Sequence, residues 1–246
     1  MVNSNWYVTW FNSPYYHQLY FEKDEQEAAV FINELLGFLQ PAPKALLLDV
    51  ACGRGRHAKL LAAKGYDVTG IDLAPSSIAI AKEMEHEHLH FFQHDMRLPF
   101  YINYFDYAFN FFTSFGYFRT EREHYNAIRT MAQALKPQGI LVIDYLNVSY
   151  TESHLIPQQE KTIDGVHYHL TKWVDESHFY KKIVIEDQQL PAPLEFTEKV
   201  AKFSLDDFKK MFAFHHLQIQ EVFGDHQLHA YDVNQSPRMI MIAKKQ

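Results

Sequence analysis

The chain has 246 residues, 47% hydrophobic and 22% charged, with a formal net charge of −7, which is length enough for one large α/β domain or a domain with a sizeable insertion. A net-negative chain with no clustered Lys/Arg run disfavours nucleic acid and other polyanionic partners. No apolar run reaches a membrane span, the start Met1-Val-Asn-Ser-Asn-Trp6 lacks signal-peptide order, and the single cysteine, Cys52, cannot form an internal disulfide, so a cytoplasmic protein is expected.

In chain order, Trp6 to Tyr20 is too aromatic for a loose tail, and residues 25–39 place apolar side chains at 28, 31, 32, 35, 36 and 39, the stripe of a half-buried helix. Pro41 and Pro43 end it. Leu46, Leu47, Leu48 and Val50 read as a strand buried on both faces, interrupted only by Asp49. Gly53 and Gly55 follow, then a helix from His57 to Lys64 that Gly65 stops. Residues 66–72 form a second strand closed by Asp72, 17 residues past Gly55. Ala74 to Met84 reads as a helix with proline in its first turn, His88 to His94 as a third strand, and Phe105 to Phe109 as a fourth. The spacing Thr120-x-x-Glu123 opens a helix that runs to Leu135, and Lys136-Pro-Gln-Gly139 turns the chain into a fifth strand, Ile140 to Tyr145.

The βα alternation then stops. Residues 148–203 carry three strand-like runs, 163–174, 178–188 and 194–203, with Asp175-Glu-Ser177 as a hairpin turn. Ser204 caps a further helix to about His215, and 217–223 and 239–243 read as two closing strands. The whole chain is expected to form one domain, with 1–40 as a leading segment and helix and 148–203 as an insert over the pocket mouth. In that insert Tyr168, His169, Trp173 and Tyr180 are possible pocket residues.

A strand, a glycine turn and a helix in succession put free backbone N–H groups and a helix N-terminus at one sheet edge, where a nucleotide sits. Gly53-x-Gly55-x-x-Ala58 also satisfies the dinucleotide fingerprint, which keeps a nicotinamide-dependent oxidoreductase as an alternative. Asp49 weighs against it: a carboxylate just before the turn repels a pyrophosphate and suits a ligand carrying an ammonium or sulfonium charge. S-adenosylmethionine has both. Asp72 stands where a carboxylate accepts hydrogen bonds from ribose hydroxyls.

The series Asp49-Val-Ala-Cys-Gly-Arg-Gly55, Gly70-Ile-Asp72, His94-Asp-Met96 and Phe105 to Asn110 resembles the ordered motifs of the class I S-adenosylmethionine-dependent methyltransferases, from about residue 46 to 147. The resemblance implies a Rossmann-like α/β fold: a seven-stranded, mainly parallel sheet with helices on both faces, an antiparallel last strand and a small antiparallel β insert after the fifth strand. It implies that Asp49 and the turn Ala51, Cys52, Gly53 and Gly55 approach the methionine part, with Arg56 pairing its carboxylate. Asp72, beside Leu73, would hold the ribose, Asp95 and Met96 would recognise and flank adenine, and Asn110 and Phe111 would line the floor near the methionine amino group. Ala51 departs from the pattern, standing where the family usually has an earlier glycine. Tyr15, His17 and Tyr20 are lid candidates on the same ground.

The expected activity is methyl transfer to a small-molecule acceptor by in-line displacement, in which holding the acceptor close and excluding water supply much of the acceleration. Phe111, Tyr15 or Tyr20 could support the sulfonium by cation–π attraction. A general base is needed only where the acceptor must lose a proton. His17, Tyr117, His124 and His229 are candidates, and the sequence alone assigns no catalytic residue and no metal. A non-catalytic S-adenosylmethionine-binding protein on the same fold fits the same motifs.

Overall fold

The computed structural model describes residues 6–21 and 25–246, so residues 1–5 and 22–24 of the expected leading segment lie outside the described residues. Three helices come first: α1 (Trp6–Phe11), α2 (Pro14–Phe21) and α3 (Glu25–Leu39). The alternating part follows as β1 (Leu46–Val50), α4 (Arg56–Ala63), β2 (Asp67–Asp72), α5 (Pro75–Ala81), β3 (Leu89–Gln93), β4 (Phe105–Asn110), α6 (Glu121–Ala134) and β5 (Leu135–Leu146). After a short α7 (Val148–Ser153) come β6 (Gln158–Ile163), β7 (Val166–Val174), β8 (His178–Glu186) and β9 (Leu194–Ala201), then α8 (Leu205–Phe214), β10 (Leu217–Phe223) and β11 (Arg238–Lys245).

Seven strands form one sheet in the order β10-β11-β5-β4-β1-β2-β3, parallel throughout except for β11, which runs against both its neighbours. The fold expected from the sequence is therefore the one observed. The order in which the chain adds strands reverses between β1 and β4, so the carboxyl ends of β1, β2 and β4 border a crevice, the place where open α/β sheets receive ligands. Alternation along β1 divides the core: Leu47 packs under α3, α4 and α5 with Phe91, Phe109 and Val142, while Leu48 and Val50 pack under α6 and α8 with Ile128, Met131 and Phe208. The Thr120–Glu123 and Ser204–Asp207 pairs form the capping boxes that start α6 and α8.

The insert departs from expectation. It has four strands in the order β6-β7-β8-β9, because the run 163–174 is broken by Asp164 and Gly165, both at positive φ (48° and 81°), into a two-residue hairpin. The added strand β6 is polar and lies at the sheet edge, so it carries no apolar run to announce it. The fifth strand also begins earlier, at Leu135, with its register against β4 shifting around the Lys136–Gly139 turn. The insert's inner face, with Tyr168, Ile183 and Ile185, packs on Trp6, Trp10 and Leu19 of α1 and α2. The leading helices are thus sandwiched between the two sheets' territories: Trp6 also meets Tyr117, and Tyr7 meets Phe118, both from the loop after β4.

Candidate active site

Asp49 lies in the middle of the sheet, on the face of β1 that carries Leu47, and is 1% exposed. The backbone N–H of Ala58 in the first turn of α4 reaches it, while its Oδ2 has no hydrogen-bond partner among the described residues. Burial first, and the charge of Asp72 second, push its pKa up to about 7, against the pull of the Ala58 amide and Arg56. A buried carboxylate held on one side only is an anionic group with an oxygen free to receive a cation.

The chain leaves β1 through three left-handed residues, Ala51 (φ 61°), Gly53 (φ 56°) and Gly55 (φ 81°). Gly53 donates its N–H to Asp72 Oδ2 at 2.8 Å, and Ala74 donates to Asp72 Oδ1 at 2.8 Å, so one carboxylate fastens the glycine turn to the tip of β2. Burial raises the Asp72 pKa, with the Ala74, Gly53 and Leu73 amides opposing. A Cβ on Gly53 would meet nothing within 4 Å, whereas one on Gly55 would strike the Phe91 ring at 2.5 Å. The first glycine therefore leaves open space over the turn, and the second allows α4 to pack against β3. Cys52 turns its thiol toward Phe91 and the Gly70 backbone; burial raises its pKa well above the ordinary value, so only its backbone belongs to the turn.

Arg56 opens α4 with its guanidinium 5.2 Å from the centroid of the Phe112 ring. At the end of β4, Asn110 is fully buried and donates from Nδ2 to the Val50 carbonyl at 3.0 Å, joining the tips of β1 and β4, while its Oδ1 has no partner among the described residues. The Phe111 ring sits in the core, 5.2 Å from Phe109 and 5.5 Å from Phe31, which leaves its backbone as the part facing the crevice. Asp95 is engaged by Arg97 through Nε at 3.0 Å and Nη2 at 2.6 Å, and Arg97 reaches Glu123 at 2.6 Å. Although burial opposes it, this guanidinium holds the Asp95 carboxyl below its usual range. Met96 borders a slot of about 10 Å³ between β1, β2 and α6.

The leading helices supply different residues from those expected. Tyr15 faces outward, donating to Asp187 at 2.8 Å beside a cavity of about 400 Å³ that shares no residue with the Asp49–Asp72 crevice. Tyr16, the next residue round α2, is turned away from Asp187 and feels the charges of Glu198, Asp72 and Arg56. Tyr20 lies at its side, ring centroids 5.0 Å apart, and donates its hydroxyl to Glu198 Oε1 at 2.6 Å. Leu73 packs into this same cluster. Glu198 stands directly across from Lys181 on the inner face of the insert, 3.0 Å from its Nζ, and also accepts from Trp10 Nε1 at 2.7 Å.

Of the four base candidates, Tyr117 reaches this group, feeling Tyr16 and Glu198 and donating to the Thr113 carbonyl at 2.5 Å, and the His17 ring meets its edge, 5.3 Å from the Tyr16 ring. The Tyr117 pKa is raised well above the ordinary value, by burial before anything else. His17 abuts Ser77 of α5 at 3.3 Å, and burial lowers its pKa to about 4. His124 is enclosed by Phe115, Phe118 and Phe203, again with a pKa near about 4 through burial. His229 is 75% exposed and paired with Asp225. In the insert, Tyr168 is buried and donates to Gln18, whereas His169, Trp173 and Tyr180 lie on the outer face, the last two stacked at 5.1 Å.

Sequence reasoning missed Tyr16, Glu198, Lys181 and the pair Asp144–Arg238. Asp144 interrupts an apolar run just as Asp49 does, and that signal was available. Fully buried, it accepts the Phe112 N–H and Arg238 Nε, at 2.8 and 2.7 Å, while Arg238 also donates to Thr113 Oγ1 at 2.9 Å. These bonds fix a loop in which Phe112 and Thr113 are both left-handed (φ 54° and 59°). No helix among the described residues is long and apolar enough to cross a membrane, and no group of three metal-ligating side chains occurs among them.

Residues 47–139 match the family model described as a methyltransferase domain. YqeM of Bacillus subtilis (strain 168), a provisionally named methyltransferase, is 34% identical over 104 residues, 41% of this chain and 42% of that protein. The dTDP-3-amino-3,4,6-trideoxy-alpha-D-glucopyranose N,N-dimethyltransferase of Streptomyces venezuelae is 32% identical over 123 residues, 50% of this chain and 51% of that protein. The matched stretch thus spans about half the length of these curated relatives. In overall shape the chain resembles an S-adenosylmethionine-dependent methyltransferase from Clostridium acetobutylicum ATCC 824, with a TM-score of 0.78 at 17% identity, covering 94% of this chain and 96% of that one.

Proposed function

With residues 47–139 a domain of the methyltransferase family, on the fold of the class I S-adenosylmethionine-dependent enzymes, we propose that the chain catalyses methyl transfer from S-adenosylmethionine to a small-molecule acceptor. The observation that carries the reading is the pair of acids at the tips of β1 and β2, Asp49 and Asp72, on either side of a glycine turn with open space above Gly53. Two carboxylates in a shielded crevice repel a pyrophosphate and favour a ligand that brings positive charge.

S-Adenosylmethionine supplies an already activated methyl group, transferred by in-line displacement at carbon. Asp49, with its spare buried oxygen, and the Ala51 to Gly55 turn would hold the methionine amino end, and Arg56 its carboxylate. Asp72 keeps lone pairs for the ribose hydroxyls while its two oxygens hold the turn. The Asp95 oxygens are engaged by Arg97, so adenine would share that carboxylate with the guanidinium and lie against Met96. Asn110 and the backbone at Phe111 would floor the methionine end. The aromatic helices α1 and α2 exclude water and orient the acceptor. The acceptor of the Streptomyces relative, as its name states, is a sugar nucleotide, which supports a small molecule here too.

Calorimetry with S-adenosylhomocysteine and NAD side by side tests the proposal. Micromolar binding of the first and none of the second is expected; tight NAD binding with no homocysteine-nucleoside binding ends it.

A further inference from the structure

We propose that the acceptor is an amine, taken as its free base, and that Glu198 is the residue that positions it; this rests on the methyltransferase reading above. Glu198 is a carboxylate with 12% side-chain exposure that the cofactor does not account for. It reaches inward from β9 of the insert to α2, where Tyr16 feels its charge together with those of Asp72 and Arg56. Trp10 and Tyr20 donate to its Oε1 and Lys181 lies against its Oε2. These three donors leave lone-pair capacity on a carboxylate that has about four acceptor sites. In front of it, Phe11 bridges Tyr16 and Tyr117, with centroid distances of 4.9 and 5.2 Å, and Tyr20 flanks Tyr16. An aromatic wall beside a carboxylate is an environment that receives an uncharged amine by its N–H, leaving the nitrogen lone pair free.

The charge arithmetic favours nitrogen over oxygen. When an uncharged amine attacks, its lone pair forms the new N–C bond as the C–S pair leaves with sulfur. One positive charge passes from sulfur to nitrogen, and the methylated nitrogen gives up its proton to water afterwards. The charge inside a site bordered by Asp49, Asp72 and Glu198, with Arg56 and Lys181 opposing, is unchanged by the step. A hydroxyl acceptor must instead lose its proton during attack; the four base candidates do not offer that service, and Glu198, a carboxylate ion-paired with Lys181, is a weak base for an alcohol. His17 meets Tyr16 by its ring edge but turns its Nε2 to Ser77 of α5, His124 is walled in by phenylalanines, His229 is exposed elsewhere, and Tyr117 already spends its proton on the Thr113 carbonyl.

Matched pairs differing only in an amino against a hydroxyl group, such as glucosamine and glucose or benzylamine and benzyl alcohol, test the proposal on S-adenosylhomocysteine-saturated protein by calorimetry and on S-adenosylmethionine-loaded protein by methyl counting. The amino members are expected to bind and react and their hydroxyl partners not. The rising limb of kcat/KM with pH should follow the pKa of whichever amine is used. Glu198→Gln should weaken amine binding and raise its KM by roughly tenfold or more, the loss of one charge-assisted hydrogen bond, with S-adenosylhomocysteine affinity held within about twofold. Tyr20→Phe, which keeps the ring, should fall between. Hydroxyl members that bind or react as well as amines, no amine binding at all, or an unaltered amine KM in a folded Glu198→Gln protein overturns the inference. Absent S-adenosylhomocysteine binding in the wild type would instead overturn the reading on which it stands.

Discussion

Asp72 Oδ2 and the backbone N–H of Gly53 meet at 2.8 Å, and through that bond the tip of β2 sets the shape of the turn after β1. The ribose receptor and the turn that approaches the methionine part are therefore one mechanical unit in the proposed site. Asp72→Ala should weaken S-adenosylhomocysteine binding by about 1 to 3 kcal/mol, since it removes both the ribose acceptor and the tie that shapes the turn. Titration calorimetry on a protein with unchanged circular dichroism measures it, and full affinity in the variant refutes the role of Asp72.

Ala51 occupies a left-handed conformation, φ 61°, that costs an L-residue with a Cβ on the order of 1 kcal/mol. Ala51→Gly removes that cost but adds disorder to the unfolded chain. The relief should win narrowly, stabilising the protein by about 0.5 kcal/mol in urea denaturation. A variant less stable than the wild type by about 1 kcal/mol contradicts the strain.

Asp49 carries a folded-state pKa of about 7 against an ordinary 3.8. An acid raised on folding stabilises the fold in its protonated form, so its contribution is whole below about pH 4 and drains away as pH climbs through about 7. Asp49→Asn, neutral at every pH, should gain stability relative to the wild type across that window. Urea midpoints for both proteins from pH 4 to 8 decide it, and a constant gap between them sinks the assignment.

Arg238 is the principal countercharge to a carboxylate with no solvent exposure, Asp144, whose pKa it pulls down against the effect of burial. Arg238→Met should cost about 3 kcal/mol because it strands a buried charge, and adding Asp144→Asn should return part of the loss. Chemical denaturation of the two single variants and the double gives the coupling; additive losses argue against the pair.

The sheet and its crevice were legible because their signals are local. Buried parallel strands write themselves as apolar runs, and an acid inside such a run, as at Asp49, stands out against them. The proposed acceptor side was not legible. Glu198 and Lys181 sit on strands whose two faces alternate between solvent and the leading helices, and sequence spacing says nothing of which face turns inward until the pairing is fixed. The sequence does not separate Tyr15 from Tyr16 for the same reason: on a short helix one position of offset changes the side on which a ring lies. Asp164-Gly165 is a hairpin signal, but the polar residues before it do not read as a strand for it to join.

Trp10 and Tyr20 in the leading helices and Glu198 near the end of the insert lock together across more than 170 positions of sequence, with separations of 188 and 178 residues. The proposed acceptor site is thus encoded in two distant parts of the chain. Grafting the insert alone between related proteins would deliver a surface cut for someone else's helices. A chimera that moves residues 6–21 together with 158–201 is the smallest exchange that keeps the two halves matched.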